Sequence, residues 1–468
     1  MKARKSLYDI DVAFQRLTSA GMSQAEAASK AELLVKATSA LQDMSVDLSG
    51  LWHAFFVPGR LECLGKHTDY AGGRSLICTI ERGFVLVSSS RPDQFVRIID
   101  ADTQERTEFT ISPQLAPTIG HWANYPMTVA VRLARNFPGR LRGADIAFIS
   151  DLPPAAGMSS SSALIIAFFL AISAANGLSK HREYQRNIDT LESLASYLGT
   201  IENGQSFGSL KGSKGVGTFG GSEDHTAILC SRAGMLSCYS YCPVRLEQTV
   251  AVSDGYVFAI ASSGVIAAKT GQAQEKYNRA SRLASAVLHV WNEATGRSDP
   301  HLAAALASSE GAAERLRDLL RQKDYGDFTR VELLKRFEHF VAESEQILPA
   351  AIDALNRQDM TEFGRQVDRS QKFTEELLGN QVPNTIFLPR CARELGAVAA
   401  SAFGAGFGGA VWALIRRDGA EKFLQNWSFR YHETYPLARR TASFFLTKPG
   451  PPALCIESSI GRKELLFL

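Results

Sequence analysis

Residues 58–73 read Pro58-Gly-Arg-Leu-Glu-Cys-Leu-Gly-Lys-His-Thr-Asp-Tyr-Ala-Gly-Gly73, which packs Arg60, Glu62, Lys66, His67 and Asp69 into ten residues. Apolar chain flanks the stretch on both sides. Ala54–Val57 predicts a strand ending at Pro58-Gly59, and Ser75–Ser90, rich in Ile, Val, Leu and Thr, predicts two strands with Arg82-Gly83 near their turn. A turn this dense in polar groups has two readings. It lines a cleft and hydrogen-bonds a hydroxylated ligand, or it is an exposed charged hairpin.

Two further turns carry chemistry. Leu152-Pro-Pro-Ala-Ala-Gly-Met-Ser-Ser-Ser-Ser-Ala163 leads straight into an apolar helix that runs to about Asn176-Gly177. A helix start offers free backbone N–H groups and the positive end of the dipole, which suits an anion. Four consecutive serines exceed what an N-cap needs, so a phosphate site is favoured, with hydroxyls free to ligate Mg2+. The third turn, Phe403-Gly-Ala-Gly-Phe-Gly-Gly409, formally matches GxGxxG. A strand, Ala410–Ile415, follows it where a dinucleotide fold needs a helix, so the glycines serve a tight turn or a close backbone approach. No GxxxxGK[ST] occurs, so any nucleotide must be held by the serine turn.

Composition limits the remaining classes. The chain has 468 residues, with 51 Lys+Arg against 48 Asp+Glu, a net charge of +3, and 45% hydrophobic residues. These values suit a globular protein of two or three domains and argue against disorder or nucleic-acid binding as the main task. The apolar run Ala163–Ala175 is shorter than the roughly 17–25 residues of a membrane span. No secretory signal is visible at the N-terminus. The seven cysteines form no CxxC pair, which suggests reduced thiols in a cytoplasmic protein.

Elsewhere the first forty residues read as helical, with Ser23-Gln-Ala-Glu26 fitting a capping box. Asp145–Ile149 and Val257–Ile260 read as strands, Gly204–Gly221 as a glycine-rich loop, and Thr270 to about Gln366 as mostly helical. A domain boundary is placed near Cys242-Pro243, giving an N-terminal domain over 1–242, with a helical extension, and a C-terminal domain over 243–468.

In this order the three turns resemble the motifs of the GHMP small-molecule kinases, and the first is similar to the galactokinase branch, whose motif has the form PGRxNLIGEHTDYxGG. Gly220-Gly-Ser-Glu-Asp-His225 resembles the family's G(I/M)MDQ segment, and Tyr277-Asn-Arg279 its YNxR segment. The resemblance spans roughly residues 50–415. It implies an α+β, two-domain fold, ribosomal-S5-like in the N-terminal domain and ferredoxin-like in the C-terminal domain, with the site between them. It implies ATP-dependent phosphorylation of a monosaccharide at its anomeric hydroxyl, with Mg2+. Arg60 matches the charge-neutralising arginine and Asp224 the catalytic aspartate; were the local alignment shifted by one, Glu223 would take that place. Lys66, His67, Asp69 and Tyr277 fall at sugar-binding positions. Ala156, Gly157, Met158, Ser159, Ser160, Ser161 and Ser162 match the phosphate loop, and Ser161 and Glu202 the metal ligands. The implied partners are a small-molecule sugar and ATP, with no nucleic acid and no membrane, acting on a monomer or weak dimer.

The sequence also departs from the family pattern. Lys66 replaces the family's sugar-binding Glu, and Glu62 its Asn. Either Lys66 pairs with Glu62 and the sugar is galactose, or Lys66 meets an altered C6, as in galacturonate. Ala155 replaces Gly, Ser162 replaces Ala, and Ser401 and Phe403 replace a basic residue and Thr. The third-turn changes leave open a catalytically weak or inactive sugar- and ATP-binding sensor. A GHMP kinase acting on a non-sugar alcohol is disfavoured by the His-Thr-Asp-Tyr run.

Overall fold

The computed structural model describes residues 10–46, 50–118, 120–153, 156–265 and 271–459. Pro154, Ala155 and Thr270 lie outside the described residues, as do residues 1–9. Two sheets organise the chain. The first holds β1 (Trp52–Leu64), β2 (Arg74–Ser90), β3 (Phe95–Asp100), β4 (Arg106–Thr110), β5 (Ala144–Ser150), β6 (Met235–Ser240) and β7 (Arg245–Ala251). The second holds β8 (Tyr256–Ser262), β9 (Ala399–Phe403), β10 (Ala410–Arg416) and β11 (Ser443–Thr447), and β12 (Leu454–Ser458) returns to pair with β1 in the first. The expected boundary near Cys242-Pro243 falls inside the β6–β7 hairpin of the first sheet. The chain changes sheets between Ala251 and Tyr256 instead.

The first sheet runs β12-β1-β2-β5-β3-β4, with β6 pairing the other end of β2. β1 does not stop at Pro58-Gly59. It continues to Leu64 with a register shift between Pro58 and Arg60, because a bulge tolerates proline's missing N–H. β2 is likewise one strand rather than two. Gly83 lies opposite Pro58, and a Cβ there would sit 2.4 Å from the Val57 carbonyl oxygen, so glycine lets the strands cross closely at this bend. Its carbonyl, which proline has no N–H to meet, accepts the Asp151 N–H at 3.3 Å, and its N–H donates to Asp151 Oδ1 at 2.7 Å. The second sheet has the order β11-β8-β10-β9 and the chain order strand, helices, two strands, helix, strand, which is the ferredoxin-like pattern expected for the C-terminal part.

Helix Ser160–Asn176 is buried on nearly every side, as an apolar stretch without a polar face must be, and ends at Gly177 with φ +57°. It packs under the first sheet in a core that continues through Leu348, Ile352 and Phe363 to Trp412 of the second. Helix Gln24–Asp43 covers the sheet's other face through Ala27, Leu34 and Leu41. The capping box at Ser23 does not form. The Ser23 side chain makes no cap bond, its N–H donates to Glu81 instead, and Glu26 bonds Lys30. Among the described residues no helix is long and apolar enough to cross a membrane.

Lys30 is fully buried, with Glu26 Oε2 at 2.6 Å and Asp151 Oδ2 at 2.5 Å. Asp151 leads directly into the serine turn. Replacing Lys30 with Met leaves two carboxylates facing each other, and breaking such a pair costs about 3 kcal/mol. A urea melt of Lys30→Met should show a loss of that order; an unchanged midpoint would mean that the pair contributes nothing net.

Candidate active site

Five segments meet at one cleft. Its lining includes Arg60, Glu62, His67, Asp69, Glu202, Glu223, Asp224 and Tyr277. The first turn is therefore buried and lines a cleft. Arg60 leaves β1 just past the bulge. Gly59 beside it has no room for a side chain, since a Cβ would lie 2.8 Å from Leu152 Cδ2 and 3.1 Å from the Met158 carbonyl oxygen. That contact sets the first turn against the second, and the Arg60 N–H donates to the same carbonyl at 3.3 Å.

Arg60 is only 4% exposed. Its Nε donates to Asp224 Oδ1 at 2.7 Å and its Nη1 to the Gly157 carbonyl at 2.7 Å. Glu62 Oε2 stands 4.0 Å away. Burial works against the guanidinium charge, but the carboxylates of Asp224, Glu62 and Glu223 outweigh it and hold the arginine firmly protonated. The Phe403 ring, 5.7 Å from the Arg60 carbon, covers the cation where the family carries Thr.

Asp224 sits in the first turn of helix Glu223–Cys230, where the helix dipole favours a carboxylate. Glu223 next to it is in another state. Burial first, then the charges of Glu62 and Asp69, pushes its carboxyl well above the usual range, so it carries a proton. Glu62 is pushed up to about 7 by burial, against the pull of Arg60 and Lys66 and a hydrogen bond from Glu223. Of the two neighbours, Asp224 is the one bonded to the arginine.

The serine turn meets the same helix end. Ser162 Oγ lies 2.8 Å from Glu202 Oε2 and 3.3 Å from Asp224 Oδ2, and Ser161 Oγ lies 3.4 Å from Glu202 Oε1. Thr218 Oγ1 approaches Glu202 at 3.3 Å, so the glycine-rich loop folds back over this carboxylate. Ser159 adopts φ +60°, a strained conformation for serine, and its buried hydroxyl has no hydrogen-bond partner. Gly157 approaches the third turn, and a Cβ on Gly404 would stand 2.7 Å from the Gly157 carbonyl oxygen.

Across the cleft, Asp69 Oδ2 accepts the Glu223 N–H at 3.2 Å, and a Cβ on Gly221 would collide with it. His67 lines the cleft with its Nδ1 2.9 Å from the Tyr70 hydroxyl and its Nε2 donating to the Ala405 carbonyl at 3.1 Å. Its ring centroid is 5.2 Å from that of Tyr277. Burial, with Asp69 and Asp224 nearby, keeps the Tyr277 phenol protonated. Lys66 is the expected site residue that is placed elsewhere. It is absent from the cleft lining, fully buried, and donates to Ser370 Oγ at 3.1 Å. The hydrogen bond of its ammonium goes to Ser370, not to Glu62. The sequence reading did not single out Tyr70, His225 or Ala405, which also line the cleft. It also passed over Asn278, whose side chain ties Gly217 and Phe219 of the glycine-rich loop beside Tyr277.

Comparison with known proteins places this arrangement. Residues 48–90 match the galactokinase galactose-binding signature, 124–206 the N-terminal domain of the GHMP kinases, and 351–433 their C-terminal domain. The chain belongs to the GHMP kinase family, in its galactokinase branch. A galactokinase of Exiguobacterium sibiricum is 26% identical over 423 residues, 87% of this chain and 95% of the relative. One of Fusobacterium nucleatum is 26% identical over 86% of this chain and 95% of its own length. The crystal structure of Lactococcus lactis galactokinase complexed with galactose superposes with a TM-score of 0.72 at 21% identity, covering 89% of this chain and 98% of that one. The protein is a galactokinase-like sugar kinase of the ATP-using GHMP family.

Against that family pattern Glu62 is an added carboxyl, and it gives a pH signature. A carboxyl raised by folding favours the native state below its unfolded value near 4.5, and that contribution is lost as pH rises through about 7. Glu62→Gln should therefore gain melting temperature relative to wild type between about pH 5 and pH 8. A difference that stays constant with pH would show that Glu62 titrates normally.

Proposed function

We propose that the protein transfers the γ-phosphoryl group of ATP to the anomeric hydroxyl of galactose. The observation that carries this reading is Arg60, bonded at once to Asp224 and to the Gly157 carbonyl of the serine turn. One buried cation thereby joins the group suited to meet a sugar hydroxyl with the loop suited to hold a phosphate.

The roles follow from the chemistry of each group. The triphosphate lies against residues 156–162, where orphan N–H groups of helix Ser160–Asn176 and the partnerless Ser159 hydroxyl face it. Arg60 neutralises charge on the transferred phosphoryl oxygens, and Asp224 orients the anomeric hydroxyl and accepts its proton. Asp69, His67 and Tyr277 frame the sugar. Glu202 with the Ser161 and Ser162 hydroxyls offers a set of hard oxygen donors, which suits Mg2+ held by few protein ligands and by phosphates. That ion, when bound, neutralises phosphate charge.

The choice of sugar rests on charge. The cleft is lined by the carboxyls of Glu62, Asp69, Glu202, Glu223 and Asp224 against one guanidinium, while Lys66 faces away. The Arg60 guanidinium is already engaged by Asp224 and the Gly157 carbonyl and is not offered to an anionic C6, so neutral galactose is favoured over galacturonate. Beyond the sugar and ATP the reading requires no partner, and the seven free thiols suit the reducing cytoplasm.

An ADP-release assay over hexoses and uronic acids checks this. Galactose should support turnover and galacturonate should not. Asp224→Asn should lose at least about 10²-fold in kcat, and Arg60→Ala should fall at least as far. Near-wild-type turnover by folded Asp224→Asn, or ligand binding without ADP release, would contradict the mechanism.

A further inference from the structure

Lys66 departs from the family pattern within the sugar-facing turn, yet its ammonium leaves the cleft. The bonds it joins run across the molecule. Lys66 Nζ donates to Ser370 Oγ at 3.1 Å, and Ser370 Oγ donates to Glu343 Oε1 at 2.9 Å. The same Glu343 oxygen accepts the Gly65 N–H at 2.8 Å. Lys66, Glu343 and Ser370 are each 0% exposed. The other Glu343 oxygen, Oε2, is buried without a hydrogen-bond partner.

The neighbouring bonds act on the same turn. Glu343 lies in the π-helical segment Val341–Ile347, a distortion often found at functional sites. Its two successors also reach the first turn: Ser344 Oγ accepts the Arg74 N–H at 3.2 Å, and Glu345 pairs with the Arg74 guanidinium at 2.9 Å. Arg336, one helix earlier, donates to the His67 carbonyl and the Tyr70 hydroxyl. Gly65, His67, Tyr70 and Arg74 are thus all held from residues 336–345.

A buried ammonium and a buried carboxylate are each costly alone and tolerable together when hydrogen-bonded. The charge of Lys66 also acts on Glu62 and His339, but the hydrogen-bonded path leads to Glu343. We propose that Lys66 and Glu343 form a charge pair, bridged by Ser370, that positions the Gly65–Tyr70 turn over the sugar, with Glu343 as the positioning residue. The lysine in place of the family's Glu is then compensated from the C-terminal half and does not read the substrate. This rests on the reading of that turn as sugar-binding.

The test is a cycle of Lys66→Glu, Lys66→Met, Glu343→Gln and the doubles Lys66→Glu/Glu343→Gln and Lys66→Met/Glu343→Gln. Melting temperature, KM for galactose and KM for ATP are read in each. Lys66→Glu sets two carboxylates around Ser370, and it should lower the melting temperature and raise galactose KM about tenfold or more, with ATP KM nearly unchanged. Gln at 343 keeps the acceptor for the Gly65 N–H and removes the repulsion, so Lys66→Glu/Glu343→Gln should recover most of both losses. Should Lys66→Glu fail to fold, the Met cycle decides: the double variant should lose less melting temperature than the two singles combined. Additive losses, a Lys66→Glu enzyme with wild-type galactose KM, equal rises in both KM values, or a shift of preference from galacturonate to galactose would each overturn the proposal. If no form turns over galactose, the proposed function fails, while the melting-temperature cycle still decides whether the pair exists.

Discussion

A guanidinium buried as deeply as Arg60 must have its charge met in place, and the architecture of the cleft follows from how that is done. Asp224 comes from the start of a short helix, Gly157 from the serine turn, and Phe403 from the strand that enters the third turn. These groups are far apart in sequence, and Arg60 and Phe403 come from strands of different sheets. The arginine therefore fixes three loops relative to one another before any ligand arrives. Such preorganised charge is what phosphoryl transfer asks of a protein.

The turns around it are held in conformations the chain would not choose alone. Each contains a non-glycine residue in the left-handed region: His67 at φ +57°, Ser159 at φ +60° and Phe407 at φ +57°. Each costs on the order of 1–3 kcal/mol and persists only where surrounding contacts impose it. For His67 those contacts are visible, since its ring joins Tyr70 to the Ala405 carbonyl and its own carbonyl is taken by Arg336. The first turn is thus bonded both to the third turn and to the helix that carries Arg336.

The parts of this that a single sequence reveals are those whose chemistry is local. The serine run, the His-Thr-Asp-Tyr run and the glycine turn announce themselves because several functional groups fall within a few residues. Strand limits were harder to read. Pro58 looks like a terminator until it is seen opposite Gly83, where a bulge absorbs the missing N–H. Ser23 looks like a cap until Glu81, distant in sequence, takes its N–H. Lys66 is the clearest case of a residue whose meaning is not local. Its partner Ser370 lies 304 residues away, and no spacing rule connects them. The titration states of Glu62 and Glu223 were also hidden, because they depend on burial and on each other.

The most direct trial of the account is a crystal structure with a non-hydrolysable ATP analogue, Mg2+ and galactose bound together. The account predicts the triphosphate against residues 156–162 and the anomeric oxygen within hydrogen-bond reach of Asp224, with Arg60 still spanning the two. A triphosphate bound elsewhere, or an Asp224 carboxylate turned away from the sugar, would contradict it.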